Sequence, residues 1–289
     1  MPTFSQGFPD EMIKEFSQRC KRGVLCNKPY SGTEVLEDFG EKHIISGDLI
    51  VYTSADSVFQ VAAHEDIVPL EKLYEYCKIA REITPVGRVI ARPFKGNAGN
   101  FQRTANRRDF SLAPPEKTML DYISESGQSV VAIGKINDIF AGRGITEYAH
   151  TSSNCEGIAK IFEYLDLEFS GLCFINLVDF DMLYGHRNDV DGYAKALSEF
   201  DEALPEIIKK LKPDDMLIIT ADHGCDPGFK ESTDHTREYI PLLIFGKGIK
   251  PCNLGTLEGF SHIGKTLCDF LKVQDFIEGQ SFLRKITAF

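Results

Sequence analysis

Apolar residues recur at helical spacing near the start of the chain. Residues 10–20 place Met12, Ile13, Phe16 and Cys20 on one face of an amphipathic helix. Gly23 to Cys26 reads as a short strand. Ser31, Gly32, Thr33 and Glu34 open a second helix, with Ser31 or Thr33 as its cap and Gly40 as its stop. Leu49 to Thr53 is an apolar strand, followed by Ser54, Ala55, Asp56 and Ser57. Leu70 to Ile83 predicts a helix and Val86 to Arg92 a strand, whose period of two puts Arg88 and Arg92 on one side. Residues 95–109 are a loop rich in Gly, Asn and Arg.

The composition shifts at Ala113, Pro114 and Pro115, and a regular alternation begins. Helices are predicted at about 116–125, 155–165, 189–211 and 259–271. Strands are predicted at Ser129 to Ile133, Leu172 to Val178, 215–220 and 240–245. Such alternation argues for an α/β fold, a layered sheet with helices on its faces. A boundary near 110–115 divides a smaller α+β unit, residues 1–112, from an α/β core, residues 113–289.

At 289 residues the chain can bury a sizeable core. Its net charge of −11 argues against nucleic acid or an anionic membrane as partner. An anionic substrate stays open, since metals and local Arg or Lys invert the field in a cleft. The eight cysteines are scattered without a Cys-x-x-Cys, which suits reduced thiols and a cytoplasmic setting. No signal peptide opens the chain, no apolar run reaches membrane-spanning length, and no obligatory protein partner is indicated.

The chemistry gathers at predicted strand ends. Asp181 and His186 follow the strand ending at Val178, Asp222 and His223 follow 215–220, and His235 lies in the next loop. Open α/β sheets carry their chemistry at carboxyl ends of strands. Five mixed carboxylate and imidazole ligands exceed one tetrahedral site and suit a two-metal centre of Mn, Zn or Fe. Asp179 is an alternative to Asp181, Asp226 before Pro227 reads as a turn residue, and Asp234 is unplaced. His43, His64 and His150 carry no such context.

Thr220 to Pro227, Thr233 to Glu238 and Pro241 to Leu243 resemble the phosphopentomutase family of the alkaline-phosphatase superfamily. So do Asn176 to Asp181, Gly185 to Arg187, Asn27 to Pro29, Tyr52 to Gln60, Gly87 to Pro93 and Ile133 to Gly142. The resemblance covers essentially all 289 residues. It implies an isomerase that moves phosphate reversibly between C1 and C5 of ribose or deoxyribose in nucleoside salvage, using a phosphothreonine and two Mn2+ ions. It implies that Asp181, His186 and His235 hold one ion, and that Asp222 and His223 contribute to the other. Residues 1–112 would be a cap domain on an alkaline-phosphatase-like core. Substrate contacts would fall to Ser54, Asp56, Val58, Arg92, Arg107 and Lys135, with Arg103 and Arg108 as alternatives to Arg107. Guanidiniums fork onto phosphate oxygens, and a carboxylate such as Asp56 accepts sugar hydroxyls.

One departure shapes the expectation. Family members begin with a further core segment that carries a strand ending in a metal-binding Asp, and later the nucleophilic Thr. Neither pattern is found before residue 10, and Thr3 is not marked as that nucleophile. The core is therefore expected to lack its N-terminal strand segment, and the chain alone to lack full mutase activity. The alternatives are another metal-dependent phosphohydrolase or phosphoglycerate-mutase relative, and a metal- and sugar-phosphate-binding remnant without turnover.

Overall fold

Pro114 and Pro115 mark a change of unit. In the computed structural model, which describes residues 4–53 and 58–287, one unit ends at Ala113 and the other begins at Pro114.

The first unit runs α1 (Asp10–Cys20), β1 (Val24–Pro29), α2 (Glu34–Ser46), β2 (Leu49–Thr53), β3 (Phe59–His64), α3 (Leu70–Ile83), β4 (Arg88–Lys95), β5 (Gln102–Arg103) and β6 (Arg108–Ser111). The strands form one mixed sheet in the order β1-β2-β3-β4, with β5 and β6 both antiparallel to β4. Leu49, Val51, Phe59, Val61 and Ala91 pack with Phe16 of α1 and Leu73 of α3. Ile50, Tyr52, Ala62 and Phe94 pack with Val35 and Leu36 of α2. Helices thus cover both faces, and every residue of β2 and β3 is buried. A strand buried on both faces shows no polar alternation; β2 is still legible as an apolar run, whereas β3 carries Gln60 and His64, buried only by the fold, and has no counterpart in the sequence reading.

Other expectations in this unit are corrected. Gly40 does not stop α2. The Phe101 ring occupies the place of a side chain there, 2.5 Å from where a Cβ would lie. The helix continues to Ser46 and ends at Gly47, whose positive φ of 75° suits a C-terminal turn. Of the two candidate caps it is Ser31 whose Oγ accepts the Glu34 N–H, at 3.3 Å. The loop assigned to 95–109 contains β5 and the start of β6, because β4 offers them a free edge.

The second unit runs α4 (Met119–Glu125), β7 (Ser129–Ile133), α5 (Ile136–Ile139), β8 (Glu147–Ala149), α6 (Asn154–Leu165), β9 (Gly171–Ile175), α7 (Val190–Lys210), β10 (Leu217–Thr220), β11 (Leu242–Phe245), α8 (Ser261–Phe270) and α9 (Leu283–Ile286). Three strands make a parallel sheet, β8-β7-β9. Val130 packs with Leu120 and Ile123 of α4 and Cys268 of α8, while Val131 and Ile133 pack with Tyr164 of α6. β10 and β11 pair antiparallel as a separate ribbon. The continuous core sheet expected from the strand rhythm is therefore found in two pieces among the described residues. An apolar run fixes that a strand forms, but not which edge it meets.

All eight cysteines are free. Among the described residues no helix is long and apolar enough to cross a membrane.

Candidate metal centre

Beyond β9 the chain does not enter an ordinary helix. Phe180–Tyr184 winds as a π turn and Gly185–Arg187 as a 3-10 turn. An α-helix stacks residues three or four apart; the wider π winding brings residues five apart together. That places Asp181 against His186, with Asp181 Oδ1 3.1 Å from His186 Nε2. Gly185 is required between them, since Cys225 Sγ lies 2.4 Å from where its Cβ would be.

Asp222 and His223 follow β10 by two and three residues. The loop beyond them is folded back by its own polar groups. Thr236 N–H donates to Gly224 O at 3.2 Å, Thr236 Oγ1 accepts the Asp226 N–H at 2.7 Å, and Asn188 Nδ2 donates to Phe229 O at 2.8 Å. Asp226 also accepts the Gly228 N–H, which is its turn role. The fold-back lays His235 on His223 with ring centroids 3.7 Å apart, and His235 Nε2 lies 3.1 Å from Asp181 Oδ1. Asp181, His223 and His235 can each offer a ligand atom within 4.8 Å of the others. The geometry thus groups His223 with Asp181 and His235, whereas the resemblance implies it beside Asp222. The Asp222 carboxylate is more exposed, 3.7 Å from His223 Nε2.

The proton positions test whether a cation fits. His186 Nδ1 lies 2.6 Å from Thr233 O and His223 Nδ1 3.0 Å from Gly224 O. A carbonyl only accepts, so each Nδ1 carries a proton, and in the neutral ring Nε2 is the nitrogen left with a lone pair. In the neutral ring His186 Nε2 then faces a carboxylate oxygen lone pair to lone pair, an opposition that a cation between them resolves, as does a second proton on the ring. Such Nδ1–H to carbonyl bonds are the usual support for a metal-binding imidazole. The surroundings are electronegative: burial first, then Asp181, Glu238, Asp226 and Asp222, raise the Cys225 thiol. Lys135 Nζ lies 4.0 Å from Asp181 Oδ2. On another side Asp222 and His223 border a groove of about 930 Å³ that runs over β11.

Asp179 is not part of the cluster. Its carboxylate turns to α6, accepting the Asn154 N–H at 2.7 Å. Asn154 was missed by the sequence reading; its signal was its place directly after Ser152 and Ser153, a helix-cap pattern. Asp234 accepts the His235 N–H at 2.8 Å and is otherwise exposed.

In the first unit the structure sorts the arginines. Arg92, Arg103 and Arg107 lie around the buried Tyr52, whose phenol is raised by burial and opposed by the three guanidiniums. Arg92 Nε donates to Gln60 Oε1 at 3.0 Å; burial, then Arg107, lowers the Arg92 guanidinium. Arg107 forks onto Asp109 with two 2.8 Å bonds. Arg103 Nε donates to Gly32 O at 3.2 Å. Arg108 instead lies over the Tyr74 and Phe110 rings. Val58 is buried, while Ser54 and Asp56 fall outside the described residues.

The fold and this cluster agree with a class. Residues 97–275 match the family model described as the Metalloenzyme superfamily, well over half of the chain. The phosphopentomutase of Lachnoclostridium phytofermentans is 58% identical over 290 aligned residues, covering 99% of this chain and 74% of that protein. Those of Caldanaerobacter subterraneus subsp. tengcongensis and Acetivibrio thermocellus are 57% and 54% identical with the same coverage. Within that metalloenzyme class, the chain belongs to the phosphopentomutase family and is an isomerase of that kind.

Proposed function

We propose that the chain interconverts the 1-phosphates and 5-phosphates of ribose and deoxyribose, in cytoplasmic nucleoside salvage, with two Mn2+ ions as cofactor. The observation that carries this reading is the convergence of His186 and His235 on one oxygen of Asp181, with His223 stacked beside them. Asp181, His186 and His235 would hold one ion; Asp222 and His223, whose ring stacks on His235, would contribute to the other beside it. A metal held by these residues would supply positive charge to offset that developing on the phosphoryl group.

The chain's own groups do the rest. Thr233 O and Gly224 O hold the tautomers of His186 and His223, so both present Nε2 as a donor of electrons. Lys135 offsets charge beside Asp181 and can meet a phosphate oxygen. Arg92 and Arg107 supply planar forks for the phosphate of the sugar. Ser54, Asp56 and Val58 are the residues proposed for the pentose. In this reading metal binding belongs to residues 113–289 and these arginines to residues 1–112. The relay through a phosphothreonine is carried as the family's chemistry, and no threonine of this chain is assigned to it.

Phosphorus NMR of the chain with Mn2+ and ribose 5-phosphate tests the proposal. A growing 1-phosphate signal, abolished in Asp181→Ala, would support this reading and overturn the expectation that the chain alone lacks full mutase activity. Hydrolysis of p-nitrophenyl phosphate without that signal would make it a phosphohydrolase. Mn2+ binding with neither reaction would make it a binding protein without turnover.

A further inference from the structure

The π turn that carries Asp181 is anchored just upstream by a reciprocal pair of hydrogen bonds. Asn154 N–H donates to Asp179 Oδ2 at 2.7 Å, and Asp179 N–H donates to Asn154 Oδ1 at 2.9 Å. Both residues are buried, at 4% and 7% exposure. The pair joins the first residue of α6 to the segment between β9 and the π turn.

Helix capping accounts for one of the two bonds only: Asp179 Oδ2 satisfies a first-turn N–H of α6, while Asp179 N–H to Asn154 Oδ1 adds nothing to the helix end. The α6 N-terminus already has a cap, Ser153, whose Oγ accepts the Glu156 N–H at 3.2 Å, and Glu156 in turn accepts from Ser152. The pair also carries a cost, because Asn154 Nδ2 and Asp179 Oδ1 are buried with no hydrogen-bond partner. Local rules broken at a cost in stability are characteristic of functional sites.

We propose that Asn154 and Asp179 are positioning residues of the metal centre. They fix the backbone from which the π turn starts, so that Asp181 Oδ1 reaches both His186 and His235. This rests on the reading of that cluster as a metal centre. The linkage is short. Only Phe180 separates Asp179 from Asp181, and the turn begins with Met182 N–H donating to Val178 O, next to the clamp, at 3.1 Å. A preorganised ligand set tolerates about 0.5 Å of misplacement, so even a small shift of the Asp179 backbone reaches Asp181.

The test is calorimetric titration of Mn2+ into the full chain and its variants, with thermal melting alongside. Asn154→Ala and Asp179→Ala should bind Mn2+ roughly tenfold or more weakly, the range for residues that orient metal ligands. The double variant should lose little beyond either single one, since the two act as a unit. Asp179→Asn keeps an acceptor oxygen and should stay within about threefold of the parent. Ser153→Ala weakens the α6 cap without touching the pair; it should lower the melting temperature and leave Mn2+ affinity unchanged. Parent-like affinity in both alanine variants overturns the proposal, as does equal weakening by Ser153→Ala at a matched loss of melting temperature. A parent chain that binds no Mn2+ overturns the metal-centre reading itself, and this proposal with it.

Discussion

Gly134 sits where the three parallel strands end, and replacing it with alanine should cost far more than an ordinary glycine substitution. Its φ is +80°, and a Cβ built on it would lie 2.3 Å from the carbonyl oxygen of Asn176. Ordinary contact begins near 3.4 Å, so the ends of β7 and β9 must part by about 1 Å. That movement strains the bonds that tie this corner, Asn176 N–H to Ile133 O at 3.0 Å and Gly134 N–H to Ala149 O at 2.9 Å. The left-handed backbone alone costs alanine roughly 1–2 kcal/mol. Backbone overpacking adds about 1–3 kcal/mol. The expected total for Gly134→Ala is on the order of 3 kcal/mol. Gly127 supplies the control: its φ is +83°, and nothing lies within 4 Å of its Cβ position. Gly127→Ala should therefore lose only the conformational part, about 1–2 kcal/mol. Urea unfolding of the two variants reads the difference. Lys135 follows Gly134 directly, so the same shift should move its Nζ from its place 4.0 Å from Asp181 Oδ2 and slow turnover in the phosphorus NMR assay. If the two alanine variants lose equal stability, the close approach of Gly134 to Asn176 is refuted.

Further outcomes follow from the same geometry. Asp181→Asn removes the one anion that both imidazoles address, and calorimetry should show Mn2+ affinity falling by more than the roughly 10–100-fold typical of supporting residues. Its melting temperature should change little, because the side chain is 31% exposed. Arg92→Ala and Arg107→Ala should each raise KM for ribose 5-phosphate by on the order of tenfold, the scale of one charged hydrogen bond, whereas Arg108→Ala, on the Tyr74 and Phe110 rings, should not. His43 is fully buried, and burial lowers its pKa from the ordinary 6.5 despite its bond to Asp48 O. The unfolded chain takes up that proton first, so stability present above pH 6.5 should be lost as pH falls through and below it; urea midpoints against pH should show a shallower fall in His43→Gln.

Elements bounded by local signals were legible in the sequence. α1 and α3 show helical spacing, and β2 and β7 are apolar runs bounded by polar or glycine residues, and each was found where the pattern put it. Elements defined by their neighbours were not. β3 includes Gln60 and His64, polar residues that only the fold buries, and β5 and β6 exist because β4 has an edge to pair. Gly40 shows the same limit at one residue: its sequence suggests a helix stop, and only the ring of Phe101 makes it a packing site.

By itself the sequence determined which side chains could carry the chemistry. It pointed to Asp181, His186, Asp222, His223 and His235 in the segments that follow predicted strands, Asp222 and His223 most directly, because an apolar run ending in Asp-His is a local pattern. Tertiary structure decided which of them meet. The π turn pairs residues 181 and 186 locally, while the bonds of Asn188 to Phe229 and of His186 to Thr233, 41 and 47 residues apart, hold the folded-back loop that stacks His235 on His223. It also decided between two neighbouring carboxylates. Asp179 and Asp181 differ little as sequence, but buried Asn154 claims one and leaves the other to the imidazoles.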